Sequence, residues 1–175
     1  MIIKTNDFDL KENILNSIFI YPTDTIYGLG CDAENSVLIE KIRNIKNRDK
    51  KPFSVIAPSF DWILKNCETN LNFLKKYLPG PYTLILKKKK LDFLKAVSDT
   101  EFLGVRIPEH FFTKKLQSFG KPIVTTSVNL SGEIPANSIS EFNDNILESV
   151  DFVFDYGELT GKPSTIIFGD KIIER

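Results

Sequence analysis

Short apolar runs alternate along this chain with segments whose apolar residues recur at helical spacing. The runs predict strands over residues 18–21, 53–56, 82–86, 102–107, 123–126, 152–154, 165–168 and 172–173. The helical segments lie over residues 9–17, 36–46, 61–66, 71–77, 111–119 and 140–149. This order predicts an α/β or α+β protein built on a β-sheet with flanking helices.

Length and composition narrow the class of protein. The 175 residues fit one domain over residues 1–175, and 42% hydrophobic residues, with 14 Phe, supply a core. Cys31 and Cys67 stand alone, which argues against a disulfide framework and favours a reducing compartment. We see no secretion signal and no stretch near the roughly 20 apolar residues of a membrane span. We therefore expect a soluble, cytoplasmic protein.

The formal charges cancel over the whole chain but not locally. The 23 Lys and Arg balance 23 Asp and Glu, which argues against a generally basic nucleic-acid binder. Residues 41–51 nevertheless hold six cations against Asp49 alone, whereas residues 132–160 hold seven carboxylates and no cation. Repulsion within the basic segment costs stability unless an anion binds there, and a triphosphate is such an anion. Because the chain contains no P-loop motif, another arrangement would have to hold the phosphates.

Several segments place small polar residues where predicted strands end. The hydroxyls of Thr23 and Thr25 stand close to Gly28 and Gly30, which suits a pocket for a small polar molecule. Arg106 lies inside an apolar strand, where it either pairs with an internal carboxylate or binds a substrate carboxylate. Hydroxyls also follow or precede the strands near residues 127 and 164. Together these segments predict one cavity lined by polar strand ends.

Six motifs in one order cover nearly the whole chain, namely YPTDTIYGLG, KNRDKKP, PGPYT, VRIPEH, TTSVNLSG and PSTII between residues 21 and 168. This succession resembles the YrdC/TsaC family of threonylcarbamoyl-AMP synthases. The resemblance implies the single-domain form of a YrdC-like fold, a twisted mixed β-sheet with flanking helices around a basic concave cleft. It also implies a reaction in which L-threonine, bicarbonate and ATP give threonylcarbamoyl-adenylate and pyrophosphate. The product serves the threonylcarbamoyladenosine modification of tRNA.

The resemblance also implies which residues bind each substrate. The threonine-binding residues would be Thr23, Thr25, Arg106, Ser127 and Ser164. The ATP-binding residues would be Lys46, Arg48, Lys51, Asn129 and Ser138. Lys46 and Arg48 would be catalytic, because they would neutralise charge on the phosphates as pyrophosphate leaves. Mg²⁺ would arrive with ATP, with no metal held by the protein itself, and Lys50 could exchange roles with Lys51.

Three other functions remain open at this stage. An RNA-binding or tRNA-binding module of the same fold would use the basic cleft, although the polar segments offer neither stacked aromatic rings nor an extended basic face. A carbamoyl-transfer domain of the hydrogenase-maturation type would normally accompany cysteine-rich zinc modules. A purely structural protein leaves Arg106 in its strand unexplained. The synthase interpretation adds tRNA and the threonylcarbamoyl-transferase machinery as further partners, and no membrane.

Overall fold

The computed structural model describes residues 2–4, 10–48 and 50–174. In those residues the chain forms one mixed sheet of eleven strands. The strands are β1 (Ile2–Lys4), β2 (Phe19–Tyr21), β3 (Gly28–Gly30), β4 (Ser54–Ile56), β5 (Cys67–Glu68), β6 (Tyr82–Lys88), β7 (Phe102–Arg106), β8 (Ile123–Ser127), β9 (Phe152–Asp155), β10 (Thr165–Phe168) and β11 (Lys171–Ile173). The helices are α1 (Ser36–Ile45), α2 (Phe60–Asn66), α3 (Leu71–Tyr77), α4 (Phe111–Gln117) and α5 (Asp144–Glu148), with 3-10 helices over Glu12–Asn16 and Ile139–Glu141. The predicted fold class is confirmed.

The strands lie in the order β1-β9-β2-β3-β8-β4-β7-β6-β10-β11, and β5 pairs with β6 outside this path. The pairs β1·β9, β9·β2, β4·β7 and β6·β10 are parallel, and the remaining neighbours are antiparallel. In the middle of this order, β4 lies between β7 and β8. Segments that are far apart in the sequence therefore meet at the centre of the sheet.

Each face of the sheet is covered by a buried apolar cluster. Alternate residues of a strand point to opposite faces, so neighbouring residues of β2 belong to different clusters. Ile20 of β2 belongs to the larger buried cluster, together with Leu38 and Ile42 of α1. Phe19 and Tyr21 belong to the smaller cluster on the other side, which includes residues of α4. Helix α1 is amphipathic, as its spacing predicts, and its first turn is capped by the side chain of Asn35.

The structure differs from the sequence-based elements in several places, among them the short strands β1 and β5, which the apolar runs do not predict. Residues 28–30 form the strand β3, although the two glycines indicate a loop. Both glycines are required there. A Cβ on Gly28 would lie 2.9 Å from the buried ring of Tyr21, and a Cβ on Gly30 would lie 2.1 Å from the carbonyl oxygen of Val124. The helix predicted over residues 9–17 is a 3-10 helix, and its first residue, Asp9, lies outside the described residues. The helix predicted over residues 140–149 is shorter, because it begins at Asp144.

None of the helices in the described part of the chain combines the length and the apolar character that a bilayer crossing requires.

Candidate functional site

A cavity of about 300 Å³ opens over the centre of the sheet. Four of the five predicted threonine-binding residues line it, namely Thr23, Arg106, Ser127 and Ser164. Arg48 is the member of the predicted ATP-binding set that lines the same cavity. The basic cleft expected from the resemblance is thus a cavity with two arginines in its wall.

Strand pairing explains why these polar residues converge. Ser54 of β4 pairs with Thr125 of β8 on one side and with Gly104 of β7 on the other. Position 104 requires glycine, because a Cβ there would lie only 2.4 Å from the Ser54 hydroxyl oxygen. On the far side of β8, Ser127 pairs with Gly28. The register thus sets a row of small residues across the cavity floor, leaving space for a ligand.

Arg106, at the end of β7, is held by an internal ion pair. Its side chain is 8% exposed, and its Nη2 donates to Oδ1 of Asp24 at 2.9 Å and to Oγ1 of Thr25 at 3.1 Å. The second carboxylate oxygen of Asp24 accepts from the backbone N–H of Glu109 at 2.9 Å. The sequence left an ion pair and a ligand contact open as alternatives. Because Arg106 also lines the cavity, its geometry is compatible with both.

The hydroxyls beside Arg106 form two buried groups. Oγ1 of Thr23 lies 2.9 Å from Oγ1 of Thr25 and donates to the carbonyl of Ile26 at 2.7 Å. Oγ1 of Thr83 lies 2.7 Å from Oγ of Ser164. Thr25 therefore supports the cavity from behind, whereas Thr83 lies in its wall and was missed by sequence reasoning although it belongs to the PGPYT motif. We call Thr23, Thr25, Thr83, Arg106 and Ser164 the hydroxyl end of the cavity.

The loop between β2 and β3 is braced by the segment that leads into β10. A Cβ on Gly161 would lie 2.2 Å from the carbonyl oxygen of Thr25, so only glycine allows the two backbones this close approach. Pro163 and Ser164, two and three residues after Gly161, line the cavity. This contact joins the two segments that carry most of the hydroxyl end.

The opposite end of the cavity begins where α1 ends. Asn47 adopts a left-handed φ of 47°, and the N–H of Arg48 then bonds the carbonyl of Arg43 at 3.0 Å. This is a common way to end a helix, and it turns the chain sharply back. The turn brings the basic segment to the sheet, with Asp49 outside the described residues. We call Lys46, Arg48, Lys51, Ser127 and Asn129 the basic end.

Arg48 is folded onto its own loop. Its Nη2 donates to the carbonyl of Pro52 at 2.7 Å, and its Nε donates to that of Lys51 at 3.3 Å. Its Nη1 also reaches the hydroxyl of Thr126 at 3.5 Å, and the guanidinium lies 5.0 Å from the centre of the Phe53 ring. Arg48 thus lines the cavity while three of its nitrogens donate to neutral oxygens and its guanidinium packs on an aromatic ring.

Arg43 holds the same loop from the helix. It lies 4.5 Å from the centre of the Phe53 ring and donates to the carbonyls of Lys51, Ala96 and Val97. Arg43 is not in the wall of the cavity. Its arrangement indicates a structural cation, which explains part of the positive charge that the sequence concentrates here.

Lys46 is almost fully buried, with 1% of its surface exposed. Its Nζ donates to the carbonyls of Ser127 and Asn129, both at 2.6 Å, and to Oδ1 of Asn129 at 3.2 Å. Oγ of Ser127 donates to the same amide oxygen at 2.5 Å. Burial, with the nearby Arg48 charge, lowers the pKa of Lys46 to about 8. Lys46 and Asn129 therefore lie behind the wall that Ser127 forms.

Two residues of the predicted ATP-binding set lie outside the lining of the cavity. Lys51 is exposed, and its carbonyl rather than its ammonium group contacts Arg43 and Arg48. The hydroxyl of Ser138 lies 3.0 Å from that of Ser140, at the start of a 3-10 helix. Their contacts with a bound nucleotide stay predictions.

His110, the single histidine of the sequence, caps α4. Its Nδ1 accepts from the N–H of Phe112 at 3.2 Å, and its ring packs against Phe111 and Tyr156. Burial lowers the pKa of His110, although the charge of Asp24 partly opposes this effect. These contacts explain His110 as a structural residue.

No group of three or more His, Cys, Asp or Glu side chains in the described ranges could hold a metal ion. The donors at the cavity wall are hydroxyls and cations, which suit phosphate and carboxylate oxygens rather than a divalent metal.

The family model Sua5_yciO_yrdC, described as telomere recombination, matches residues 15–173. A Methanocaldococcus jannaschii protein provisionally named threonylcarbamoyl-AMP synthase is 38% identical, over 94% of this chain and 81% of its own length. The threonylcarbamoyl-AMP synthase of Blochmanniella pennsylvanica is 31% identical, over 84% and 79% respectively. The crystal structure of P. abyssi Sua5 complexed with L-threonine has the same fold, with a TM-score of 0.82 and 24% identity. The match covers 98% of this chain but 55% of Sua5, so this chain spans about half the length of that relative.

Proposed function

We propose, from the premise that this chain belongs to the Sua5/YciO/YrdC family, that it is a threonylcarbamoyl-AMP synthase. It would join L-threonine, bicarbonate and ATP into threonylcarbamoyl-adenylate, with release of pyrophosphate and water. The single observation that carries the proposal is the pairing of two different ends in one cavity. One end presents a held guanidinium among hydroxyls, and the other presents Arg48 with Lys46 behind it.

The hydroxyl end suits a small hydroxy amino acid. The guanidinium of Arg106 would bind the threonine carboxylate, because planar guanidinium and carboxylate groups match in charge and geometry. The hydroxyls of Thr23, Thr83 and Ser164 can each donate or accept, so they would bind the threonine hydroxyl and amine. A cavity of about 300 Å³ lies at the small end of the range for ligand pockets, as threonine with part of a nucleotide requires.

The basic end suits the phosphates of ATP. Arg48 and Lys46 would neutralise the charge that develops as a carbamate oxygen attacks the α-phosphorus and pyrophosphate leaves. Mg²⁺ would enter with ATP, bound by phosphate oxygens, and would add further positive charge there. The remaining contribution is positioning, since holding the reactants in line can supply roughly 7 to 11 kcal/mol of the barrier.

Bicarbonate, tRNA and the transferase that would use the product belong to this proposal as inferred partners. A carbamate forms when the threonine amine attacks bicarbonate carbon and water is lost. A cytoplasmic location stays a prediction from the isolated cysteines, Cys31 and Cys67, both of which are buried and free.

The test is the dependence of pyrophosphate release on each substrate. Purified protein with MgATP should release pyrophosphate only when L-threonine and bicarbonate are both present, and mass spectrometry should detect threonylcarbamoyl-adenylate. Reactions lacking threonine or bicarbonate, and the Arg106→Ala variant at low threonine, are the controls. Equal pyrophosphate release without threonine would overturn the proposal.

A further inference from the structure

Asp24 lies behind the cavity wall and connects three parts of the site. Its side chain is 10% exposed, and it is not among the residues that line the cavity. One oxygen accepts from Nη2 of Arg106 and the other from the backbone N–H of Glu109, both at 2.9 Å. Both oxygens of the carboxylate are therefore engaged, one by a side chain from the end of β7 and one by the backbone three residues later.

The position of Asp24 in the chain makes this contact long-range. It belongs to the loop between β2 and β3, 82 residues before Arg106. The next residue, Thr25, accepts from the same Nη2 at 3.1 Å and is itself held by Thr23. The guanidinium is thus held from one side by two neighbouring residues of one loop.

These contacts fix the orientation of the Arg106 side chain before a substrate binds. An arginine side chain has many rotamers, and ordering one of them upon binding reduces affinity. A buried guanidinium also needs a counterion, or it turns towards solvent. Asp24 supplies the counterion and, through Glu109, ties it to the backbone that follows β7. The charge of Arg106 is therefore kept in the cavity wall with one orientation.

We propose that Asp24 is a positioning residue that orients Arg106 and so gives the site its selectivity for a ligand carboxylate. It acts through Arg106 and does not contact the ligand. This inference rests on the proposed function, in which that ligand is L-threonine. As a consequence, removal of the Asp24 charge weakens the binding of threonine more than the binding of an analogue that lacks the carboxylate.

The experiment compares Asp24→Asn with a matched control, Asp151→Asn. Asp151 also accepts from a backbone N–H, that of Ile18 at 2.8 Å, but it lies outside the cavity lining. For each protein, the affinities for L-threonine and for L-threoninamide are measured by calorimetry, and the threonine and ATP KM values by pyrophosphate release. Threoninamide keeps the hydroxyl and the amine but lacks the carboxylate.

We expect Asp24→Asn to lower the threonine-to-threoninamide affinity ratio by about tenfold, because the ion pair that orients Arg106 is replaced by a weaker contact with a neutral amide. The threonine KM should rise by a similar factor while the ATP KM stays within about twofold. Asp151→Asn should keep the wild-type ratio. Since the ratio compares two ligands on one protein preparation, partial unfolding of a variant does not change it.

A double-mutant cycle separates action through Arg106 from any other role. In an Arg106→Lys background, Asp24→Asn should no longer change the ratio. An unchanged ratio for Asp24→Asn alone would overturn the inference, as would an equal drop in both backgrounds. A wild-type protein without threonine-dependent pyrophosphate release would instead overturn the proposed function. The two failures are therefore distinguishable.

Discussion

The two ends of the cavity hold their cations in different ways. At the hydroxyl end, Arg106 is bound by the carboxylate of Asp24 and the hydroxyl of Thr25, so it already has a counterion. At the basic end, the ammonium of Lys46 donates to neutral oxygens, and Nη2 and Nε of Arg48 donate to backbone carbonyls. An arriving phosphate is a stronger acceptor than a carbonyl, because its charge strengthens the hydrogen bond.

This difference indicates a division of roles. The hydroxyl end is built before its ligand binds, which suits recognition of one small molecule. Phosphate oxygens can replace carbonyl oxygens that the cations of the basic end contact, which suits a group whose charge distribution changes during the reaction. Variants at the two ends should therefore affect different substrates.

The largest effect is expected for Arg106→Ala. The substitution removes the cation for the threonine carboxylate and leaves Asp24 buried without its counterion, a loss of about 2 to 5 kcal/mol. The threonine KM should rise by about thirtyfold to three-thousandfold, with little change in the ATP KM. Steady-state kinetics with each substrate varied in turn provides the measurement. A defect confined to ATP would contradict the division.

Arg48→Ala should produce the opposite pattern. The loss of a guanidinium beside the transferred phosphate should lower kcat/KM for ATP by about a hundredfold, since one such donor contributes roughly 3 kcal/mol. The threonine affinity measured without ATP should stay near that of the wild type.

Arg43→Ala is the matched control for Arg48, because both guanidinium groups contact Phe53 and the carbonyl of Lys51. It should lower the melting temperature, because the contacts with the carbonyls of Ala96 and Val97 are lost. At low temperature, its kcat/KM for ATP should stay near that of the wild type. If Arg43→Ala impaired ATP use as strongly as Arg48→Ala, the whole loop rather than Arg48 would be responsible.

Lys46 should give the site a pH dependence. Its lowered pKa, about 8, means that the folded protein loses this ammonium charge at a pH where an unfolded lysine, near 10.5, is still protonated. ATP favours the charged form, so the ATP KM should be constant below pH 8 and rise up to about tenfold per pH unit above it. Threonine affinity should change less over the same range.

The control for this pH profile is Lys46→Arg, which stays charged at every accessible pH. Its ATP KM, although higher overall because the buried side chain is longer, should be flat between pH 7 and 9.5. An identical rise in both proteins would assign the pH dependence to another group, such as Lys88, whose pKa burial also lowers.

Elements with a clear local pattern were predictable from the sequence. The bounds of α3 (Leu71–Tyr77) and β10 (Thr165–Phe168) are those that apolar periodicity predicts. β3 was missed because its two glycines are required by the close approach of the Tyr21 ring and of the Val124 backbone, contacts that no local signal reveals. The two-residue strand β5 is too short to show any period.

The site shows the same limit. Residues in family motifs were found at Thr23, Arg106, Ser127 and Ser164, all of which line the cavity. The supporting contacts were not foreseen, since they join residues that are 81 or 82 positions apart, as between Thr83 and Ser164. Sequence reasoning left the ion pair of Arg106 open for this reason: 23 carboxylates were available and nothing local selects Asp24.

The smallest effect is expected where a hydroxyl supports another hydroxyl. Thr83→Val keeps the shape of the side chain but removes the partner 2.7 Å from Oγ of Ser164. A neutral hydrogen bond contributes about 0.5 to 1.5 kcal/mol, so the threonine KM should rise about two- to tenfold with the ATP KM unchanged.

Thr113→Val tests whether that effect belongs to the cavity. Thr113 is also buried, but its hydroxyl donates to the carbonyls of Pro108 and His110 and it does not line the cavity. The Thr113→Val variant should lose about as much free energy of unfolding as Thr83→Val, with no change in threonine KM. Thr83→Val could instead lower stability without changing the threonine KM. In that case the Ser164 hydroxyl would not depend on Thr83 for its orientation, and preorganisation of the hydroxyl end would rest on Arg106 and its partners.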